Sequence, residues 1–249
     1  MLSLIDSYQE EIDTHRPFDP ALLPQVKAYY RVSLTYTSTA IEGFSYTESE
    51  TKVLLEDGLT VGGKPLRDAL AVTGHAKAYD YMFTLLLNRN ITNHDILAMH
   101  SMLEGSLING NAGCYRDKMV FIAGSKHPVA SPKEIQSKMA EFEKWMRSER
   151  GRMHPVEYAV LLHKRLVFIH PFEDGNGRIS RLAMNTALIQ NGYLPIIVPP
   201  VLRSGYIESL QEAHTDDSAF KEFMYRQEID SQKSFLRMIK DSELSTPKT

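Results

Sequence analysis

His170-Pro171-Phe172-Glu173-Asp174-Gly175-Asn176-Gly177-Arg178-Ile179-Ser180-Arg181 separates two apolar stretches that both read as helices. Before it, Pro155 to Ile169 carries Val156, Ala159, Val160, Leu162, Leu166 and Val167 on more than one face, the pattern of a central, buried helix. After it, a second helix is predicted from about Gly177 to Asn191, with Ile179, Leu182, Ala183 and Leu188 turned to the core. One helix ends, a glycine loop turns, and another begins. Unpaired N–H groups at the start of the second helix favour an anion, and Gly175 and Gly177 let the backbone approach a phosphate closely. Arg178 and Arg181, spaced i, i+3, project from one side of the first turn. Cations there oppose the helix dipole, which makes sense if an anion sits between them. Asp174 adds a hard carboxylate oxygen of the kind magnesium takes beside substrate phosphates. His170 stands on the other lip, where a neutral imidazole accepts a proton near pH 7. No GxxxxGK[ST] run is present, so this is not a Walker loop. The parts suit in-line transfer at a magnesium-bound nucleotide phosphate.

The rest of the chain is consistent with a helical, soluble setting for that loop. Of 249 residues, 43% are hydrophobic and 24% charged, which sets aside disordered and fibrous classes. A formal net charge of −3 gives no basic footprint, which argues against a nucleic-acid partner. The single cysteine, Cys114, rules out an intramolecular disulfide and a cysteine-built zinc site, and fits a reducing cytoplasm. The start of the chain, Met1 to Pro17, is acidic and interrupted too early for a signal peptide. No apolar run approaches the roughly 20 residues of a membrane span, so no membrane partner is expected. Thr47 with Glu50, Thr92 with Asp95 and Ser131 with Glu134 read as capping boxes. Pro65, Pro132 and Pro155 suit first helical turns, and Gly43, Gly58 and Gly192 suit left-handed caps at helix ends. Met119 to Ala130, turning at Gly124-Ser125, is predicted as a β-hairpin, and Ile196 to Val198 as a connector between prolines. The expected architecture is mainly α with one small β element. It divides into residues 1–58, a core at 59–241, and a disordered tail at 242–249.

The stretch His170 to Arg181 resembles the Fic motif, HxFx(D/E)GNGRxxR, at every defined position. The resemblance runs from roughly Pro65 to Met238 and includes Gly113-Cys114-Tyr115-Arg116 and Arg181-Leu182-Ala183-Met184-Asn185. It implies the Fic fold, a helical bundle with a hairpin flap, and a protein adenylyltransferase that moves AMP from ATP to a Ser, Thr or Tyr hydroxyl. By that likeness His170 is the general base and Asp174 holds Mg²⁺ (or Mn²⁺). Gly175, Asn176 and Gly177 form the anion hole, Arg178 steadies the β-phosphate region, and Arg181 steadies the γ-phosphate. The implied partners are ATP and a protein target, and relatives often self-associate.

Ser38-Thr39-Ala40-Ile41-Glu42-Gly43 resembles the family's inhibitory motif, (S/T)xxxE(G/N). Ser38 and Glu42 are i, i+4 on one helical face, and a carboxylate delivered to Arg181 would take the place of the γ-phosphate. The resemblance thus implies an N-terminal inhibitory helix within the same chain. Val120, Phe121 and Ile122 match the target-binding flap, while Tyr206 and His214 match the adenine-pocket segment. His214 stands where some relatives use Asn. Gly177 argues against the Doc-type kinases, which carry Lys there, and Gly175 against phosphocholine transfer. Removal of AMP, with Glu42 aligning a water, and a nucleotide-sensing module without turnover are the alternatives. His75, His94, His100 and His163 receive no functional role, His163 reading as a hydrogen-bonded core residue.

Overall fold

A computed structural model describes residues 1–86, 90–107, 111–122 and 127–245, with side chains described through residue 241. The helices are α1 (Leu2–Asp13), α2 (Leu22–Ile41), α3 (Glu48–Lys52), α4 (Leu66–Thr84), α5 (Asn93–Glu104) and α6 (Pro132–Glu149). They continue with α7 (Pro155–Ile169), α8 (Asn176–Gln190), α9 (Arg203–Glu212) and α10 (Ser218–Ser245). A π-helical turn, Val53–Asp57, extends α3, and a 3-10 turn, Pro200–Leu202, leads into α9. Among the described residues no helix is long and apolar enough to cross a membrane.

Local chemistry sets the helix ends. Capping boxes form at Thr47, Thr92 and Ser131, where the carboxylates of Glu50, Asp95 and Glu134 accept the N-cap N–H. Pro132 and Pro155 open α6 and α7, while Pro65 is the residue just before α4. At the end of α2, Phe44 N–H donates to Thr39 O and Gly43 N–H to Ala40 O, with Gly43 at φ 90°. The same two-bond pattern closes α8 at Gly192, a Schellman end in both cases.

The α7–α8 pair forms the centre. Asn176 and every residue from Arg178 to Leu188 are buried, so α8 has no solvent face over most of its length. Helices α2, α4 and α5 pack on α8, and α6 and α10 on α7. The ends of the chain meet where α1 lies along α10, with Gln232 Nε2 donating to Ile5 O at 3.1 Å. Helix α10 continues to Ser245, into the segment expected as a tail, and residues 246–249 lie outside the described residues.

The hairpin expected over Met119 to Ala130 is the main departure. Among the described residues no strand forms, and the expected turn at Gly124-Ser125 lies outside them. Phe121 is 91% exposed and Met119 54%, so this arm of the segment buries little apolar surface, and a two-stranded ribbon without an apolar face is marginal in water. Its roots are closed instead by Arg116, whose guanidinium donates to Lys118 O at 2.8 Å and to Ala130 O. Ile196 to Val198 is a connector, as its prolines predict, and the Asn185 side chain pairs with both backbone groups of Ile196.

Helix α4 approaches α5 closely at Gly74, where a Cβ would lie 2.3 Å from Leu103 O. No rotamer relieves a clash with backbone, so Gly74→Ala must push the helices apart. The expected cost is about 1–3 kcal/mol, read as a fall of several degrees in Tm. An unchanged melting curve would show that the crossing is not tight.

Candidate active site

The loop between α7 and α8 is built by side chains that turn inward. His170 terminates α7 in the left-handed region at φ 53°, a conformation a non-glycine residue adopts at some cost. Arg116, 4% exposed, holds it there: Arg116 Nε donates to His170 O and Arg116 N–H to Pro171 O, both at 2.9 Å. Asn176 closes the loop, its Oδ1 accepting from Phe172 N–H and its Nδ2 donating to Phe172 O. Its side chain is therefore spent on the loop, and what it offers an anion is its backbone N–H at the helix start.

His100, which carried no functional signal in the sequence, pins the centre of the loop. It stacks on Phe172 with ring centroids 3.7 Å apart. Gly113 N–H donates to His100 Nδ1 at 2.9 Å, so Nε2 carries the hydrogen and donates to Asp174 O at 3.2 Å. Burial pushes its pKa down to about 4, and the ring stays neutral.

His170 itself is set up as an acceptor. Its Nδ1 faces Val167 O at 3.3 Å, and a carbonyl only accepts, so the neutral tautomer carries hydrogen on Nδ1 and a lone pair on Nε2. Burial lowers its pKa, the Val167 contact opposes that, and Arg116 lowers it further. His170 lines a cavity of about 270 Å³ together with Glu42, Gly177, Arg181 and Ile122.

Arg181 is 5% exposed and fully engaged. Its Nε donates to Ser38 Oγ at 3.0 Å, and its Nη2 to Ser38 O at 2.9 Å and Glu42 Oε1 at 2.7 Å. Helix α2 thus delivers Ser38 and Glu42 to one guanidinium, as their i, i+4 spacing predicts. Arg203 fixes the end of α2 by donating to Ile41 O at 2.6 Å. Gly177 leaves room for this contact, because a Cβ there would sit 2.4 Å from Glu42 Oε1 and make the carboxylate shift.

Arg178 does not project beside Arg181. It is 1% exposed, and its Nη2 pairs with Glu104 Oε1 at 2.8 Å and with Asp174 Oδ1 at 3.2 Å. The Glu104 carboxylate draws the side chain inward. Asp174 Oδ1 also accepts from Gly175 N–H at 2.7 Å, whereas Oδ2 faces outward, 3.7 Å from the exposed Arg67. Among the described residues no group of three His, Cys, Asp or Glu could hold a metal ion. One outward carboxylate fits magnesium only when nucleotide phosphates complete the set, which is how that ion is commonly held.

The adenine-pocket candidates occupy different layers. Tyr206 is 1% exposed, and its hydroxyl lies 2.8 Å from His163 Nε2 and 3.4 Å from Arg181 Nη1, so it backs Arg181 instead of presenting an open ring. His163 is a hydrogen-bonded core residue, as its place in α7 predicts. His214 is sandwiched between Phe168 and His127, each ring centroid 3.8 Å away. Its faces are covered, and His127, from the far root of the flap segment, is a cavity residue with no signal in the sequence. Of the flap residues, Ile122 reaches the cavity wall while Phe121 faces solvent, and Val120 is half-buried.

The Fic/DOC family model matches residues 90–188, which contain α7, the loop and most of α8. The chain is 36% identical over 218 residues to the protein adenylyltransferase Fic of Drosophila melanogaster, covering 87% of this chain and 44% of that protein. It is 34% identical over 216 residues to the protein of the same name from Culex quinquefasciatus, covering 86% and 43%. The chain thus spans less than half the length of these curated relatives. Among solved structures, Fic-1 (residues 134–508) of C. elegans superposes with a TM-score of 0.88 at 28% identity, over 97% of this chain and 72% of that one. A Fic domain containing signaling protein of Bacteroides thetaiotaomicron superposes at 0.86 with 26% identity, over 92% and 95%. With the loop, the helical frame and both kinds of similarity in agreement, the chain carries a Fic domain of the Fic/DOC family over residues 90–188.

Proposed function

We propose that this chain is a protein adenylyltransferase, moving AMP from ATP to a Ser, Thr or Tyr hydroxyl of a protein target and of itself, with Glu42 as its brake. One observation carries the reading. A neutral His170, its Nε2 lone pair uncommitted to Val167, lines the same cavity as Gly177 and an arginine whose anion site is filled by a carboxylate. The name carried by the fly and mosquito relatives supports it.

In this reading the ATP phosphates lie against the start of α8, met by the N–H groups of Asn176 and Gly177, with Gly175, whose N–H donates to Asp174 Oδ1, letting the backbone come close. Arg181 receives the γ-phosphate once Glu42 has left. His170 takes the proton of the acceptor hydroxyl as its oxygen attacks the α-phosphorus, and the bond to the β-phosphate oxygen breaks to release pyrophosphate. Asp174 would hold Mg²⁺ or Mn²⁺ with the nucleotide, and that ion supplies neutralisation of phosphate charge. Val120, Phe121 and Ile122 offer backbone and apolar surface to an extended target segment. The base enters the cavity, whose walls include Val167, Ile207, Leu210 and the edge of His214, with Tyr206 supporting Arg181 from behind. The single cysteine, exposed Cys114, suits a reducing cytoplasm. AMP removal is a second reading favoured by one observation: the Glu42 carboxylate lines the cavity beside His170, where it could orient a water. Following both AMP incorporation and AMP release separates the two.

His170→Ala should retain ATP binding by calorimetry while single-turnover transfer falls by a factor on the order of 10² or more. Transfer at the wild-type rate would remove His170 from the mechanism.

The same residue sets the pH response. Because His170 titrates below an ordinary histidine, its neutral form persists into mildly acidic solution and is lost only as pH falls through the lowered value. The kcat/KM for transfer should therefore lie on its plateau at neutral pH, with an acid limb on the low side of a free histidine. An acid limb above neutral pH would point to another base.

Glu42→Gly should raise AMP incorporation about tenfold to a hundredfold at saturating Mg-ATP. That range follows from about 1.5–3 kcal/mol for a charged hydrogen bond and about 1.4 kcal/mol per tenfold change. The gain should vanish when His170→Ala is added. Equal rates for wild type and Glu42→Gly would end the case for a brake.

A further inference from the structure

Glu104 ends α5 with its side chain fully buried, 2.8 Å from an arginine that is itself only 1% exposed. Arg178 Nε and Nη1 and both Glu104 oxygens make no hydrogen bond among the described residues, so the two groups meet as an ion pair with Asp174 beside it; burial raises the Glu104 pKa and the Arg178 charge opposes that. Both guanidiniums facing Asp174 lie near the Phe44 ring, Arg178 at 5.0 Å and Arg67 at 5.2 Å from its centroid. They differ in freedom. Arg67 is 68% exposed and 3.7 Å from Asp174, so it can swing away, whereas Arg178 is locked in place. A locked cation beside Asp174 would cancel the one carboxylate the loop presents to a cation, unless a second carboxylate neutralised it.

We infer that Glu104 is a positioning residue of the anion loop: it neutralises Arg178 and thereby leaves Asp174 its negative charge for a divalent cation. The inference rests on the reading of Asp174 as the carboxylate that faces the metal–nucleotide. The geometry around Gly175 agrees with a fixed Glu104. A Cβ at Gly175 would lie 2.8 Å from Glu104 Oε1 and 2.9 Å from Leu103 Cδ2, so the loop is laid directly over this carboxylate. Buried charge pairs that lose one partner leave the other uncompensated. Removing only the Glu104 charge should therefore make the loop more positive and Asp174 a poorer cation ligand at once.

These effects have opposite signs in nucleotide binding, which a loss of folding could not produce. ADP is the probe, because without a γ-phosphate it does not compete with Glu42. Its affinity is measured by calorimetry in EDTA and in Mg²⁺, on the full chain. For Glu104→Gln the affinity in EDTA should rise severalfold, and the enhancement by Mg²⁺ should shrink by about tenfold or less. Glu104→Asp, which keeps the charge, should restore the wild-type pattern. If Glu104→Gln does not melt cooperatively, Glu104→Gln with Arg178→Gln carries the test, since it buries no lone charge and should keep the Mg²⁺ enhancement. Parallel loss of both affinities in Glu104→Gln, an unchanged pair of affinities, or loss of the enhancement in the double variant would overturn the inference. Asp174→Asn separates this from the underlying reading: if it leaves the Mg²⁺ enhancement intact, Asp174 does not face the metal, and that assignment fails first.

Discussion

Burying a guanidinium at the start of a helix is unfavourable twice over, because desolvation and the helix dipole both act against the charge. Arg181 sits there, and much of the surrounding structure supplies it with acceptors. Ser38 offers a hydroxyl and a carbonyl, Glu42 a carboxylate, and Tyr206 a phenol oxygen. His163 and His75 flank the cluster as neutral imidazoles, burial pushing each pKa down to about 3 with Arg181 lowering it further. Of these partners only Glu42 is movable, lying at the end of α2 with a carboxylate 35% exposed. An incoming anion can therefore take over one partner's role without unpacking the rest.

The site has a rigid inner part and a looser outer one. His170, Asn176 and the first turn of α8 are held by His100, Arg116 and the Phe172 backbone, all within the packed core. Phe121, Ile122 and His127 stand on a segment whose roots are tied by Arg116 but whose described residues form no ladder. Chemistry that needs atoms placed within a few tenths of an ångström belongs on the first part.

What the sequence revealed followed the range of the interactions. The loop could be read because its glycines, acid and base act within one turn of chain, and Glu42 because its spacing from Ser38 places both on one face. Capping boxes and Schellman ends were legible for the same reason. The roles of Glu104 and His100 were not, since each contacts the loop from more than 70 residues earlier, with nothing in its neighbourhood to mark it. The pairing of Arg178 with Glu104 was not legible either, because spacing fixes which face a side chain leaves from, not whether a buried acid waits for it. The hairpin is not shown among the described residues: its apolar residues read as strand formers, yet Met119 and Phe121 stand in solvent.

Gly177 and Glu42 are 135 positions apart in the chain, yet a methyl group at the first would overlap the carboxylate of the second. Position 177 is therefore not free to gain a side chain while Glu42 keeps its place, whereas position 42 carries no such restriction. A lineage that acquired a side chain at 177 would displace the carboxylate from Arg181 in the same step, whereas one that first lost Glu42 could then explore larger residues in the loop. The order of substitutions is constrained by sterics, and a diversified nucleotide loop should be reached through ancestors that had already discarded, or relocated, the carboxylate.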